Sequence, residues 1–200
     1  MFKRFIFLRG YLLVSLLFVT LFALSACGKV PDPPASAFEP EPPKGPTVNV
    51  TVYYPIIGSQ GGYVVAEPTV LAKTKNVPKS AIERLITGRP STEGFHGTYI
   101  PAFNPKTKVR NVKIKNGVAT VDFNRTFLDG KVIDDRQEKL AIAGIVNTLS
   151  EFPNVSKVRI TVEGKASGKV GGKDVEAFWG QGTLKAQPFS VSAKKTKKME

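Results

Sequence analysis

The sequence predicts an α+β domain: a mixed, mostly antiparallel sheet of about five or six strands with two helices packed on one face. Three stretches between residues 116 and 163 carry that expectation. Ala119, Val121 and Phe123 alternate with Val118, Thr120 and Asp122, so a strand here has one apolar face. Val158, Ile160 and Val162 alternate with Lys157, Arg159 and Thr161 in the same way. Between them, Ile142, Ile145, Val146, Leu149 and Phe152 recur at helical spacing and form an apolar stripe. Three apolar faces so close in sequence bury one another when a helix lies on a sheet.

The other elements follow in chain order. Thr47 to Tyr54 alternates valine with other residues and reads as a first strand, ended by Pro55. Gly58 to Gly62 is a turn. Tyr63 to Ala72 is a second strand, in which Pro68 marks a bulge or an edge. A first helix starts around Pro78, a residue suited to a first turn. Pro78, Ile82, Leu85 and Ile86 share one side of it, while Lys79, Glu83 and Arg84 can face water. Gly88 suits a left-handed C-terminal position, and Pro90 prevents continuation. Ser91 to Lys106 is a long loop that carries the lone histidine, His96.

Val109 to Lys115 is a third strand. Asn116-Gly117 is a strong hairpin signal, because a type I′ turn needs positive φ at both central residues. The fourth strand runs to about Asn124. Asp134 or Asp135 caps the second helix, Asp135 with Glu138 fits a capping box, and Pro153 closes the helix. Adjacent carboxylates on a helix point apart, so capping is a better reading of Asp134 and Asp135 than acid/base chemistry. A fifth strand follows, and one intervening helix allows a parallel crossover to the fourth.

Gly164 to Gly172 is glycine-rich and basic. It fails as a phosphate loop, since Ser167 stands where the first glycine belongs and Asp174 follows Lys173. It reads as a flexible hairpin loop, with Val175 to Leu184 as the final strand. FWGQGTL in that strand matches the last strand of antibody variable domains, but a chain with one cysteine cannot form their disulfide.

The two ends lie outside this domain. Residues 1–26 have a basic start, an apolar run and small residues, the pattern of an export signal. Leu24-Ser25-Ala26-Cys27 resembles the lipobox of bacterial lipoproteins, which implies a diacylglyceryl group on Cys27 and cleavage before it. Residues 27–46 form a proline-rich linker that cannot build a core and suits an extended tether. Residues 47–190 form the single domain, and 191–200 a basic, disordered tail.

Composition narrows the chemistry. The chain of 200 residues is 42% hydrophobic, which argues against disorder. Net charge is +13; Lys3, Arg4 and Arg9 lie in the leader, so the remainder carries +10. Such a surplus favours anionic partners. Cys27 is the single cysteine, so there is no intrachain disulfide, and with one histidine no Cys/His zinc site.

NGVATVDFN with Phe127, then IVNTLSEFPNVSKVRITVEG, resembles a GerM-type (GerMN) domain. The opening VTVYY, the VPKSAIERLITG helix and the closing FWGQGTLKAQPF fall where that family places such elements. The resemblance covers about residues 47–190. It implies an envelope lipoprotein or membrane-anchored protein linked to sporulation and germination. It also implies a fold similar to the small αβ ring-building domains of secretion and sporulation channels, and an interaction module without catalytic residues. This chain has one copy where the founding type has two in tandem. The family supplies no site to transfer, and Asp122 is read as a structural strand residue.

The expected function is therefore a membrane-anchored, non-catalytic envelope lipoprotein, acting as a protein-interaction or scaffold module in sporulation or germination. Its partners would be membrane lipid through acylated Cys27 and an envelope or sporulation protein complex. The alternative is a binding module for anionic cell-wall polymer or peptidoglycan, motivated by the +10 although the basic residues look scattered over strands and loops. A hydrolase needs a nucleophile with a base, a metal site or paired carboxylates. Cys27 is taken by lipid and His96 stands alone, so no catalytic, cofactor or metal residue is assigned. Nucleic acid is disfavoured by export and by the lack of aromatic residues interleaved with the basic ones. The expected location is the outer face of the cell membrane.

Overall fold

The alternating stretches between residues 109 and 162 form strands where their side-chain pattern places them. The computed structural model describes residues 43–58, 61–91, 101–130 and 135–191. Among these, the strands are β1 (Thr47–Gly58), β2 (Gly61–Ala72), β3 (Val109–Lys115), β4 (Val118–Phe123), β5 (Lys157–Val162), β6 (Lys169–Val170), β7 (Lys173–Asp174) and β8 (Phe189–Ser190). The α-helices are α1 (Val77–Thr87) and α2 (Asp135–Ser150). The α+β class is as expected. The strands are shared among a four-stranded sheet ordered β3-β4-β5-β8, the antiparallel ribbon β1–β2 and the small hairpin β6–β7.

In the four-stranded sheet, β3 and β4 are antiparallel around Asn116-Gly117, whose φ values of 50° and 76° are both positive. That is the tight turn the Asn-Gly pair specifies. β4 and β5 are parallel with α2 between them in sequence, as a one-helix crossover allows. Val109, Val112, Ala119, Val121, Phe123, Val158, Ile160 and Val162 line one face. They share a core with Ile82, Leu85 and Ile86 of α1 and with Ala141, Ile142, Ile145, Val146 and Leu149 of α2.

The buried side of α2 is wider than a stripe. Glu138, Ala141, Ile142, Gly144, Ile145, Val146, Thr148 and Leu149 are all buried. At about 100° per residue they span roughly 200° of the helix. One flank meets β1. A Cβ on Gly144 would lie 2.7 Å from the Tyr53 carbonyl oxygen, so glycine permits this approach. The Tyr53 N–H donates to Thr148 Oγ1 at 3.0 Å, so a helix hydroxyl takes the place of a third strand on the β1 edge.

That bond explains why β1 continues through Pro55, where the sequence suggested an end. The Tyr53 N–H points out of the ribbon, and Pro55, two residues on, faces the same way. Its missing N–H therefore costs no ladder bond. Pro68 pairs with Thr51, two residues before Tyr53, and escapes in the same manner.

Three further expectations are corrected. Gly88 is extended (φ −88°, ψ −177°) and not left-handed. Its role is steric, since a Cβ there would lie 2.6 Å from both the Arg84 carbonyl and the Tyr54 hydroxyl. Buried Tyr54 donates to that carbonyl at 3.3 Å, and burial pushes its pKa up to about 12. Glu138 completes no capping box, because it is buried and bound elsewhere. The glycine-rich stretch does form a hairpin, β6–β7, turning at Gly171 and Gly172, both with positive φ. The final strand is Phe189–Ser190, not 175–184. Phe178, Gly180 and Gly182 adopt φ values of 52°, 124° and 72°, which no strand accommodates.

Gly144→Ala tests the approach of α2 to β1. Alanine is the better helix former, yet here the variant is expected to lose about 1–3 kcal/mol of unfolding free energy through overpacking. A urea titration showing stabilisation would contradict the packing.

Candidate interaction surface

Asp122 lies on the face of β4 away from the helices, as the alternation requires, with its side chain 19% exposed. Its Oδ1 accepts from the Thr161 hydroxyl at 2.8 Å and the Gly164 N–H at 2.7 Å. Its Oδ2 pairs with Arg110 at 3.0 Å. The carboxylate thus holds the turn after β5, where Glu163 and Gly164 take positive φ, and the irregularity of β3 at Arg110. This is the structural role expected for Asp122.

The registers assemble the rest of that face. Lys113 pairs with Thr120, and Thr120 with Arg159. Lys115 pairs with Val118, Val118 with Lys157, and Lys157 with Ser190. Paired residues share a face. The helix-free side of the sheet therefore carries Lys113 and Lys115 on β3, and Lys157 and Arg159 on β5. The shorter Val118 and Thr120 of β4 lie between them. The four cations are exposed, and their side chains form no ion pair or hydrogen bond among the described residues. The basic residues that look scattered in the chain are collected here by strand pairing. The signal was present as cations two apart in two strands, but the pairing that joins them is tertiary.

A second feature was missed from sequence. Glu138 is fully buried and accepts from the Gln181 N–H at 3.1 Å and the Thr183 N–H at 3.0 Å. It docks the FWGQGT segment on the start of α2. Trp179 covers Gly130, where a Cβ has no room, and donates from Nε1 to the Phe127 carbonyl at 2.8 Å. Phe123 and Phe127 stack at 4.0 Å, Phe127 and Phe178 at 4.8 Å, and Phe178 and Trp179 at 4.1 Å. A non-glycine residue at φ 52° costs about 1–2 kcal/mol; at Phe178 this aromatic column offsets it. Lys173, the residue that suggested a phosphate loop, pairs with Asp129 at 2.6 Å.

Cys27, His96 and Asp134 lie outside the described residues. Among the described residues, no three His, Cys, Asp or Glu side chains are grouped as a metal site, and no helix is long and apolar enough to cross a membrane. The carboxylates of Asp122, Asp129, Asp135 and Glu138 are engaged in structural bonds.

Residues 51–168 match the Germane family, described as sporulation and spore germination. The spore germination protein GerM of Bacillus subtilis (strain 168) is 31% identical over 106 residues, covering 52% of this chain and 28% of the relative. The chain thus spans little more than a quarter of that curated relative. Among solved structures, the tandem GerMN domains of the B. subtilis sporulation protein GerM align at TM-score 0.48 and 30% identity, covering 64% of this chain and 44% of that one. The first GerMN domain of the same protein aligns at TM-score 0.47 and 30% identity, covering 64% and 92%.

Glu138→Ala leaves two backbone N–H groups without their acceptor and is expected to cost about 3 kcal/mol. Glu138→Gln keeps an acceptor oxygen and should cost less. Trp179, the lone tryptophan, reports both in urea-unfolding fluorescence. An unchanged midpoint for the alanine variant would contradict the docking role.

Proposed function

The chain belongs to the sporulation and spore germination family, and from that premise we propose that it is a membrane-tethered interaction module of the cell envelope, working by adhesion and not by turnover. The observation that carries this reading is the helix-free sheet face. The side chains of its four cations form no ion pair or hydrogen bond among the described residues, and the sheet beneath them rests on a buried core. Exposed charge that contributes little to stability is available for a partner. The lipobox-like Leu24-Ser25-Ala26-Cys27 and the proline-rich linker support a lipid anchor on Cys27, with the domain held off the outer face of the membrane. The structural engagement of the carboxylates supports a non-catalytic domain.

Metabolic labelling with palmitate tests the anchor. The wild-type chain should take up label and sediment with membranes, while Cys27→Ala should lose the label. Crosslinking in intact envelopes should join the domain to a protein of the envelope or sporulation machinery. A labelled Cys27→Ala variant would overturn the anchor, and crosslinking that recovers no protein would overturn the scaffold role.

A further inference from the structure

The helix-free face has a shape as well as a charge. β3 and β5 flank β4 at one interstrand spacing each, so their side-chain rows stand about 10 Å apart. Lys113 and Lys115 form one wall, and Lys157 and Arg159 the other. The floor between them is Val118 and Thr120, whose side chains are much shorter. The result is a shallow trough along β4. It is closed at one end by the neutralised Asp122–Arg110 pair and open at the other, beside the Asn116-Gly117 turn.

We propose that this trough holds a linear phosphodiester polymer laid along β4, an inference that rests on the extracytoplasmic placement proposed above. Successive residues on one face of a strand are about 7 Å apart. A polymer carrying an anionic group at roughly that repeat meets the Lys115/Lys157 pair and then the Lys113/Arg159 pair. Arg159 offers a planar fork to phosphate oxygens, the lysines offer mobile point charges, and the Thr120 hydroxyl can donate from the floor.

Other polyanions fit less well. An acidic peptide brings backbone N–H and C=O groups, and a sheet face has no backbone partners to give them. Single-stranded nucleic acid brings bases, and the floor has no aromatic ring to stack them. A bilayer presents a plane of charge and makes no use of a trough between two walls.

Binding of purified poly(glycerol phosphate) to the full chain in neutral detergent tests this. Affinity should fall with added salt, with a log–log slope near −3 for about four neutralised phosphates. Lys113→Gln with Arg159→Gln should weaken binding about tenfold, as loss of two exposed ionic contacts allows. Lys73→Gln with Lys75→Gln removes the same charge from exposed sites elsewhere and should leave affinity within about twofold. Equal losses in the two double variants would overturn the site, leaving only net charge. So would salt-insensitive binding, or no binding. Equal affinity for oligothymidylate or polyglutamate, or equal displacement by micelles doped with phosphatidylglycerol, would overturn the choice of polymer. The assay uses purified chain, so palmitate labelling without polymer binding defeats this inference alone. Polymer binding without labelling defeats the anchor alone.

Discussion

Helix α2 is the wall that the other elements share. Glycine at 144 lets it approach the Tyr53 carbonyl, and Thr148 accepts the Tyr53 N–H, so the β1–β2 ribbon is held on one flank. Leu140 extends this contact over Gly62, which has no room for a Cβ. Ile145 and Leu149 face the common core with the four-stranded sheet, and Glu138 binds the segment that leads to β8. With both helices on one side of that sheet, its opposite side is left to polar and charged residues. The cation-bearing face is thus a consequence of where the helices lie.

Exposed sheet edges invite unwanted pairing, and this chain manages several with side chains, prolines or a local backbone bond. Beyond the two-residue strand β8, the Ile160 N–H of β5 donates to Gln187 Oε1 at 2.8 Å, and the Val162 N–H to the Lys165 carbonyl at 2.8 Å. Asn76 caps α1 by accepting the Lys79 N–H, and its Nδ2 reaches the Val112 carbonyl on the β3 edge at 3.0 Å. In the ribbon, Pro55 and Pro68 occupy positions whose N–H groups would point outward.

Elements encoded by local pattern were legible in the sequence. The β3–β4 hairpin follows from alternation and Asn-Gly, and α1 and α2 from helical spacing. Misread positions were those where a local template competed with a tertiary contact. Gly88 looked like a left-handed cap, but the Tyr54 hydroxyl is the reason it lacks a side chain. Glu138 fitted a capping box with Asp135, yet it lies at i−4 and i−7 from Ile142 and Ile145, in phase with the buried side. The stretch 175–184 looked strand-like by composition, although Gly180 and Gly182 mark it as turn. The cation face needed the register of three strands, and no single stretch contains that.

The most direct test of α2 as a shared wall is native-state amide hydrogen exchange. If one helix holds both sheets, the protected amides of Val52–Ile56 and of Val158–Ile160 open together, with a common free energy close to that of global unfolding. A ribbon that exchanges at a much lower free energy, while the four-stranded sheet stays protected, would show two independent units and contradict the account.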